Sequence, residues 1–326
     1  MTEPQLSILE ITDKTIWEKY VHAFPEANFL QSWLWREFQE QMQKQVICLA
    51  VLSGPTTDSI DLPLPSEPIA LALAIREPAK RGAYLSLPGG PLIKLTHPQS
   101  SAALELLFAE LKHFATQNQV SFIRFRPQLL DTPESHQVLA TFNPQTAPMH
   151  LTADRTIQLD LTQDINQLLA GMRKNTRYEV KRAEKLNIRV RESTDLTDIK
   201  AFYQQQLWVA KKHNFVPFSL SFLEKQFSVF ASQGCAKLFH AELDGKLLAT
   251  AFIIFYNQEA VYHYGISTPE NAKLPGAYAC QWAAIQAAKN MGCTRYNLWG
   301  IAPIDQPHHR FAGVTIFKRG FGGAEV

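Results

Sequence analysis

Apolar positions along this chain alternate between a helical period near 3.6 residues and the two-residue period of strands. In the first half, residues 15–24 and 32–42 read as helices, and the β-branched run 46–52 reads as a strand. A Pro-rich connector, GPTTDSIDLPLPSEP, leads to strands at 69–75 and 83–87 and to the turn Pro88-Gly89-Gly90-Pro91. Leu104, Leu107, Phe108, Leu111, Phe114 and Ala115 then recur at helical spacing. They predict a helix capped by Ser100 or Ser101 and ended near Asn118, before a strand at 120–125. The second half repeats the order. Helices at 196–213 and 220–231 precede strands at 237–243 and 247–255, joined by Asp244-Gly245, a dipeptide suited to a tight hairpin. A strand at 260–266, a helix at 275–291 ended by Gly292, and a strand at 295–299 complete the parallel.

The repetition predicts a duplication. Residues 142–153, rich in Pro, Thr and Asn, read as the linker, giving domains 1–152 and 153–326. Two helices, a hairpin, a strand, a helix and a strand is an order that resembles the acetyltransferase-like fold. The expected class is therefore α/β (α+β), two tandem acetyltransferase-like (GNAT-like) domains, each a mixed sheet flanked by helices. A length of 326 residues with 46% hydrophobic positions suffices for two cores. The net charge of +2 is too small to mark a nucleic-acid binder by bulk charge, so any such site must be local. Cys48, Cys235, Cys280 and Cys293 form no C-x-x-C pair and are expected to be reduced, without metal. The acidic amino terminus lacks the basic-then-apolar order of a signal peptide, and no apolar run approaches the roughly 20 residues of a membrane span. A cytoplasmic protein is expected.

Charge concentrates in residues 163–186, where Arg173, Lys174, Arg177, Lys181, Arg182 and Lys185 face only Glu179 and Glu184. At about 100° per residue, Arg173, Lys174, Arg177, Lys181 and Lys185 fall on one side of a helix, with Met172, Thr176, Val180, Ala183 and Leu186 on the other. A lone basic face is usually just solvated. Chemistry elsewhere is defined by exclusion, since the chain has no G-x-S-x-G elbow, no H-E-x-x-H and no Walker-type G-x-x-x-x-G-K.

The string LLAGMRKNTRYEVKRAEKLNI, with Met172, Lys174, Thr176, Arg177, Arg182, Ala183 and Lys185, resembles the segment that marks the FemABX family, whose members build peptidoglycan bridges. The block GVTIFKRGFGG, with Phe317, Lys318, Gly320 and Phe321, resembles the family's carboxy-terminal motif, and YHYGIS and NLWGI lie between them. The likeness is to members without a coiled-coil arm. It implies an aminoacyltransferase (EC 2.3.2 type) that moves an amino acid from aminoacyl-tRNA to the stem-peptide amine of UDP-MurNAc-pentapeptide or lipid II, with no cofactor, no metal and a peripheral contact with the inner membrane face.

The acceptor amine is itself the nucleophile in such a reaction, so the protein must orient it and stabilise the tetrahedral oxyanion. By match to the family's Phe-Lys pair, Lys318 is the expected cation and Phe317 its support. Tyr84, Tyr262 and Tyr264 are the expected acceptor contacts, with Lys212 standing where the family usually has an arginine. Arg173, Lys174, Arg177, Lys181 and Lys185 are the expected tRNA contacts. Two other classes compete. The first is a coenzyme A-dependent GNAT-type N-acyltransferase, disfavoured because Pro275 and Tyr278 occupy the pyrophosphate-cradling stretch Lys273-Leu274-Pro275-Gly276-Ala277-Tyr278. The second is a non-catalytic tRNA-binding module.

Overall fold

A computed structural model of the chain describes residues 5–54, 67–80, 82–148, 151–213, 216–269, 273–303, 306, 309 and 311–326, without the side chains of residues 212 and 213. Most of the Pro-rich connector therefore lies outside the described residues, as do His308 and the side chain of Lys212. The chain divides into two compact units, Met1–His150 and Leu151–Val326.

The first unit runs β1 (Leu6–Glu10), α1 (Lys14–Val21), α2 (Trp33–Gln41), β2 (Val46–Ser53), β3 (Pro68–Ala79), β4 (Gly82–Gly89), β5 (Leu92–Ile93), α3 (Ser100–Gln117), β6 (Val120–Pro127) and α4 (Pro133–Ala140). Its sheet has the order β1-β2-β3-β4-β6, with β5 paired to β3. One face meets α3, where Leu104, Leu107, Phe108 and Leu111 are buried against Leu49, Val51, Ala72, Leu85 and Leu87. Helices α1 and α2 pack on β2 and β3, burying Trp17 and Phe38. The start of α3 differs from expectation. Gln99 is the cap residue and makes no side-chain cap bond, while Ser100 is already helical. The His97 ring accepts the Gln99 N–H at 3.2 Å just ahead of the helix.

The second unit runs β7 (Ile157–Asp160), α5 (Ile165–Gly171), α6 (Lys174–Lys185), β8 (Arg189–Ser193), α7 (Leu196–His213), α8 (Leu220–Ala231), β9 (Ala236–Leu243), β10 (Lys246–Tyr256), β11 (Glu259–Ser267), α9 (Gly276–Asn290), β12 (Arg295–Asn297), α10 (Ala312–Arg319) and β13 (Ala324–Glu325). Sheet order is β13-β7-β12-β11-β10-β9-β8. Helix α9 buries Cys280, Ala284, Ile285 and Ala288 against Phe239, Ala251 and Ile253, with Val180 and Ala183 of α6 in the same core. The opposite face meets α8, where Phe227 packs edge-on to Phe252. The β9–β10 turn has Asp244 at φ 51° and Gly245 at φ 74°, the left-handed pair that matches the strand twist of a two-residue hairpin. The basic face read over residues 172–186 lies on α6, and a separate helix α5 precedes it, the break falling where Met172 and Arg173 leave helical geometry.

The duplication is visible in the strand pairing. β1-β2-β3-β4-β6 and β8-β9-β10-β11-β12 follow one scheme, antiparallel through the first four strands and parallel at the last step. In the first unit, β3 pairs with β4 from Ile75 and with β5 at Ala70 and Leu71, and a side chain fills the gap. Gln31 accepts the Leu73 N–H at 2.8 Å and donates to Leu73 O at 3.3 Å and Pro88 O at 2.8 Å. Replacing it with leucine strands buried backbone polar groups, a loss of about 2–4 kcal/mol. Urea unfolding of Gln31→Leu is expected to show a lowered first midpoint, and an unchanged midpoint would refute the bridging role.

Candidate active site

The two motifs that stand far apart in sequence lock together in the second unit. Helix α10 carries the FKRGFGG block onto the α5–α6 junction, where Arg173 donates its backbone N–H to Gly320 O at 2.9 Å and its guanidinium to Ile316 O at 3.0 Å. A Cβ on Gly320 would overlap the Thr176 hydroxyl, and one on Gly322 would lie 2.8 Å from Gly171 O. Gly322 and Gly323 also sit at φ 83° and 84°, a conformation that favours glycine. The glycines of the motif are therefore there for close backbone approach, and β13 then pairs with β7.

This packing turns Lys318 inward. Its side chain is 7% exposed, and Nζ donates to Gly300 O at 2.7 Å. Burial disfavours the charged form and lowers its pKa to about 8. The ammonium lies 5.6 Å from the centre of the Tyr262 ring, within cation–π range.

The Gly300 carbonyl stands in a fork of the sheet. β11 pairs with β12 only at Glu259–Val261 against Arg295–Asn297, after which the strands part. The strand expected to reach residue 299 stops at Asn297, because Trp299 adopts φ 61° and turns the chain away. A left-handed bulky residue is costly and persists only when neighbours hold it. Here the Trp299 N–H donates to Asn297 Oδ1 at 2.8 Å, and Asn297 Nδ2 donates to Glu259 Oε1 at 3.0 Å. Arg295 braces the same oxygen at 3.1 Å. Glu259 is buried, which raises its pKa, the Arg295 charge opposing that rise. Sequence reasoning gave no role to Glu259, Asn297 or Gly300. A signal existed only in NLWGI, and nothing in residue type marks a carbonyl as a lysine's partner.

Tyr262 and Tyr264 are two apart and would share a face in a regular strand. A bulge separates them. Phe252 pairs with Tyr264 and Ile253 with Tyr262, leaving His263 as the extra residue. Tyr262 packs into the core beneath α9, on the Lys318 side. Tyr264 lies on the α8 side, its ring 5.1 Å from Phe218 and 5.7 Å from Phe252. His263 accepts a hydrogen bond from Gln226 Nε2 at 3.0 Å, and burial lowers its pKa to about 3. Burial raises the pKa of both tyrosines, so each is a neutral hydroxyl near pH 7. Gly265 makes room for this arrangement, because a Cβ there would coincide with the Tyr262 hydroxyl.

The remaining expected residues divide between framework and surface. Phe317 packs edge-on to Tyr278 at 5.0 Å and Phe321 at 5.2 Å. Arg177 donates to Ala170 O at 2.8 Å and to Met172 O, so Arg173 and Arg177 both cap carbonyls of their own unit. Lys174, Lys181 and Lys185 are exposed and hold no hydrogen bond or ion pair among the described residues. Tyr84 belongs to the first unit, half-buried and stacked on Phe122 at 5.1 Å. Lys212 sits in the last turn of α7 with its side chain outside the described residues. At the α9 amino terminus Pro275 is the cap residue, with no side-chain cap bond, and Arg182 donates to Lys273 O at 2.9 Å.

Comparison with known proteins agrees with the fold. A GNAT acetyltransferase domain model matches residues 170–311, and the FemAB family model matches residues 12–150. The crystal structure of FemX superposes with a TM-score of 0.82 at 15% identity, covering 98% of this chain and 94% of that one. A Weissella viridescens protein named UDP-N-acetylmuramoylpentapeptide-lysine N(6)-alanyltransferase is 25% identical over 190 residues, 55% of this chain and 56% of the relative. Aminoacyltransferase FemA of Staphylococcus aureus is 34% identical over 91 residues, 28% of this chain and 21% of FemA. The chain thus spans about half or less of the curated relatives it matches. Fold and strand order define a protein of tandem acetyltransferase-like domains. Within that class, the chain is similar to proteins of the FemAB family, whose model matches its residues 12–150.

The close approach at Gly265 yields a test. Gly265→Val must displace the Tyr262 ring, a steric cost of about 1–3 kcal/mol. Thermal unfolding should show a lowered Tm, recovered in part by adding Tyr262→Leu; additive losses in the double variant would contradict the contact.

Proposed function

We propose that this protein transfers an aminoacyl group from aminoacyl-tRNA to the stem-peptide amine of a peptidoglycan precursor. The observation that carries the reading is the buried Lys318 ammonium at the fork, held among the described residues by the Gly300 carbonyl. The acceptor amine attacks the ester carbonyl and forms a C–N bond, negative charge gathers on the carbonyl oxygen, and the C–O bond to the tRNA ribose then breaks. The amine proton ends on the departing ribose oxygen. Lys318 supplies a fixed positive charge for the intermediate's oxygen, and its dry surroundings make that charge worth more than in water. Phe317, wedged between Tyr278 and Phe321, fixes the helix turn from which Lys318 projects.

Of the expected acceptor contacts, Tyr262, on the Lys318 side of the sheet, is assigned to the acceptor, and the donor phosphates are assigned to the exposed lysines Lys174, Lys181 and Lys185. Arg173 and Arg177 serve that surface indirectly, by pinning the helix. The acceptor is UDP-MurNAc-pentapeptide or lipid II; the Weissella relative's printed name favours the nucleotide-linked form and a lysine side-chain amine. Reaction in the cytoplasm, at or near the inner membrane face, follows from those acceptors. No helix among the described residues is long and apolar enough to cross a membrane.

The test is direct. The protein is incubated with a mixture of charged tRNAs and either acceptor, and a mass gain of one amino acid on the acceptor is expected. Lys318→Met should lower kcat by about 100- to 1000-fold while circular dichroism is unchanged. With a pKa of about 8, Lys318 is charged below that pH and neutral above it, so kcat/KM should decline as pH rises through about 8. Acylation of the acceptor by acetyl-CoA with no use of charged tRNA would overturn the reading.

A further inference from the structure

The outward face of α6 holds more than charge. Lys174, Tyr178, Lys181 and Lys185 stand at i, i+4, i+7 and i+11, which places them along one line of the helix. Tyr178 is 62% exposed, and the three lysines beside it are exposed as well. Most of the helix's other charged groups are committed, exposed Glu184 being the exception. Arg173 and Arg177 cap backbone carbonyls, and Glu179 is paired with Arg182 at 3.0 Å, which removes an acid from competition for the lysines. The apolar positions Val180 and Ala183 are buried in the core. An aromatic ring left in water between cations adds nothing to packing, yet it offers a flat face to a base while the lysines meet phosphates.

We propose that this line seats the single-stranded 3′ end of the donor tRNA, with Tyr178 stacked on an unpaired base and Lys174, Lys181 and Lys185 following the phosphates. The inference rests on the aminoacyl-tRNA reading and adds a residue and a mode of recognition to it. From Lys174 to Lys185 the helix rises about 16 Å, the length of a few nucleotides of a single strand. A lipid surface is the poorer fit. A helix lying on a bilayer needs an apolar face to insert, and the apolar face of α6 is spent on the protein core.

The experiment compares two RNA minihelices with the full-length protein, one ending in a four-nucleotide single strand and one blunt. Wild type should bind the tailed RNA more tightly. Tyr178→Ala should weaken tailed binding by about 5- to 100-fold, leave blunt binding unchanged and leave the salt dependence unchanged, whereas Tyr178→Trp retains affinity. Lys181→Ala should weaken tailed binding, lower its slope of log K against log salt by about 0.7, and leave blunt binding unchanged. Tailed binding by Tyr178→Ala equal to wild type overturns the stacking role. So does a Tyr178→Ala protein that loses affinity for anionic vesicles alone. If wild type passes an amino acid from charged tRNA to the acceptor while Tyr178→Ala binds normally, only this inference fails. If no charged tRNA serves as donor, the underlying reading fails instead.

Discussion

The second unit is organised around one awkward pairing, an ammonium group taken out of water and given one backbone carbonyl. Removing a cation from solvent costs several kcal/mol, and a neutral carbonyl returns only part of it. A lysine is tolerated in that position only if the surrounding structure is stiff enough to deny it an escape. The fork between β11 and β12, the left-handed turn at Trp299 and the relay from Glu259 through Asn297 all act on the position of Gly300 O. On the other side, Thr315 of the same helix accepts the Ala302 N–H at 2.8 Å and ties α10 to the loop that supplies the carbonyl. Both partners of the Lys318 bond are thus fixed by independent contacts. Part of the lysine's charge is left uncompensated by that single bond.

The same economy governs α6. Its arginines and lysines look equivalent in sequence, but the structure gives them different work. Arginine's planar fork reaches two carbonyls where a helix ends, and Arg173 and Arg177 use it to hold α5, α6 and α10 in register. The lysines, single point charges on flexible stems, are left outside. The helix that positions the buried cation therefore also presents the exposed ones, so a change at the Arg173–Ile316 contact acts on both at once.

Much of this fold could be read from hydrophobic period alone. Helices α7 and α8 and the Asp244-Gly245 hairpin are long or strongly signalled, and the expected spans coincide with those formed. Short elements were missed, because the two-residue β13 and the five-residue β1 and β8 carry too few positions to show a period. Within the site, Lys318 was legible through its motif. The separation of Tyr262 from Tyr264 was not, since a bulge is a register event between two strands and leaves no mark on either one's composition. Nor could charge counting separate Arg177 from Lys181, because the carbonyls that claim the arginine are backbone atoms common to every residue.

Why a duplicated fold should carry this cation only in its second copy follows from strand pairing. In the first unit β4 pairs with β6 along Ala83–Gly89, so the parallel seam is closed, and the neighbouring gap in the sheet is filled by the neutral amide of Gln31. In the second unit the equivalent seam between β11 and β12 closes over three residues and then opens. An opened seam exposes backbone polar groups that something must satisfy. A glutamine amide satisfies both a donor and an acceptor and ends the matter; a lysine satisfies an acceptor alone and keeps a charge in reserve. The same architecture can thus close fully or leave a fork holding a buried cation, depending on how far two parallel strands stay paired and on which side chain fills the space where they part.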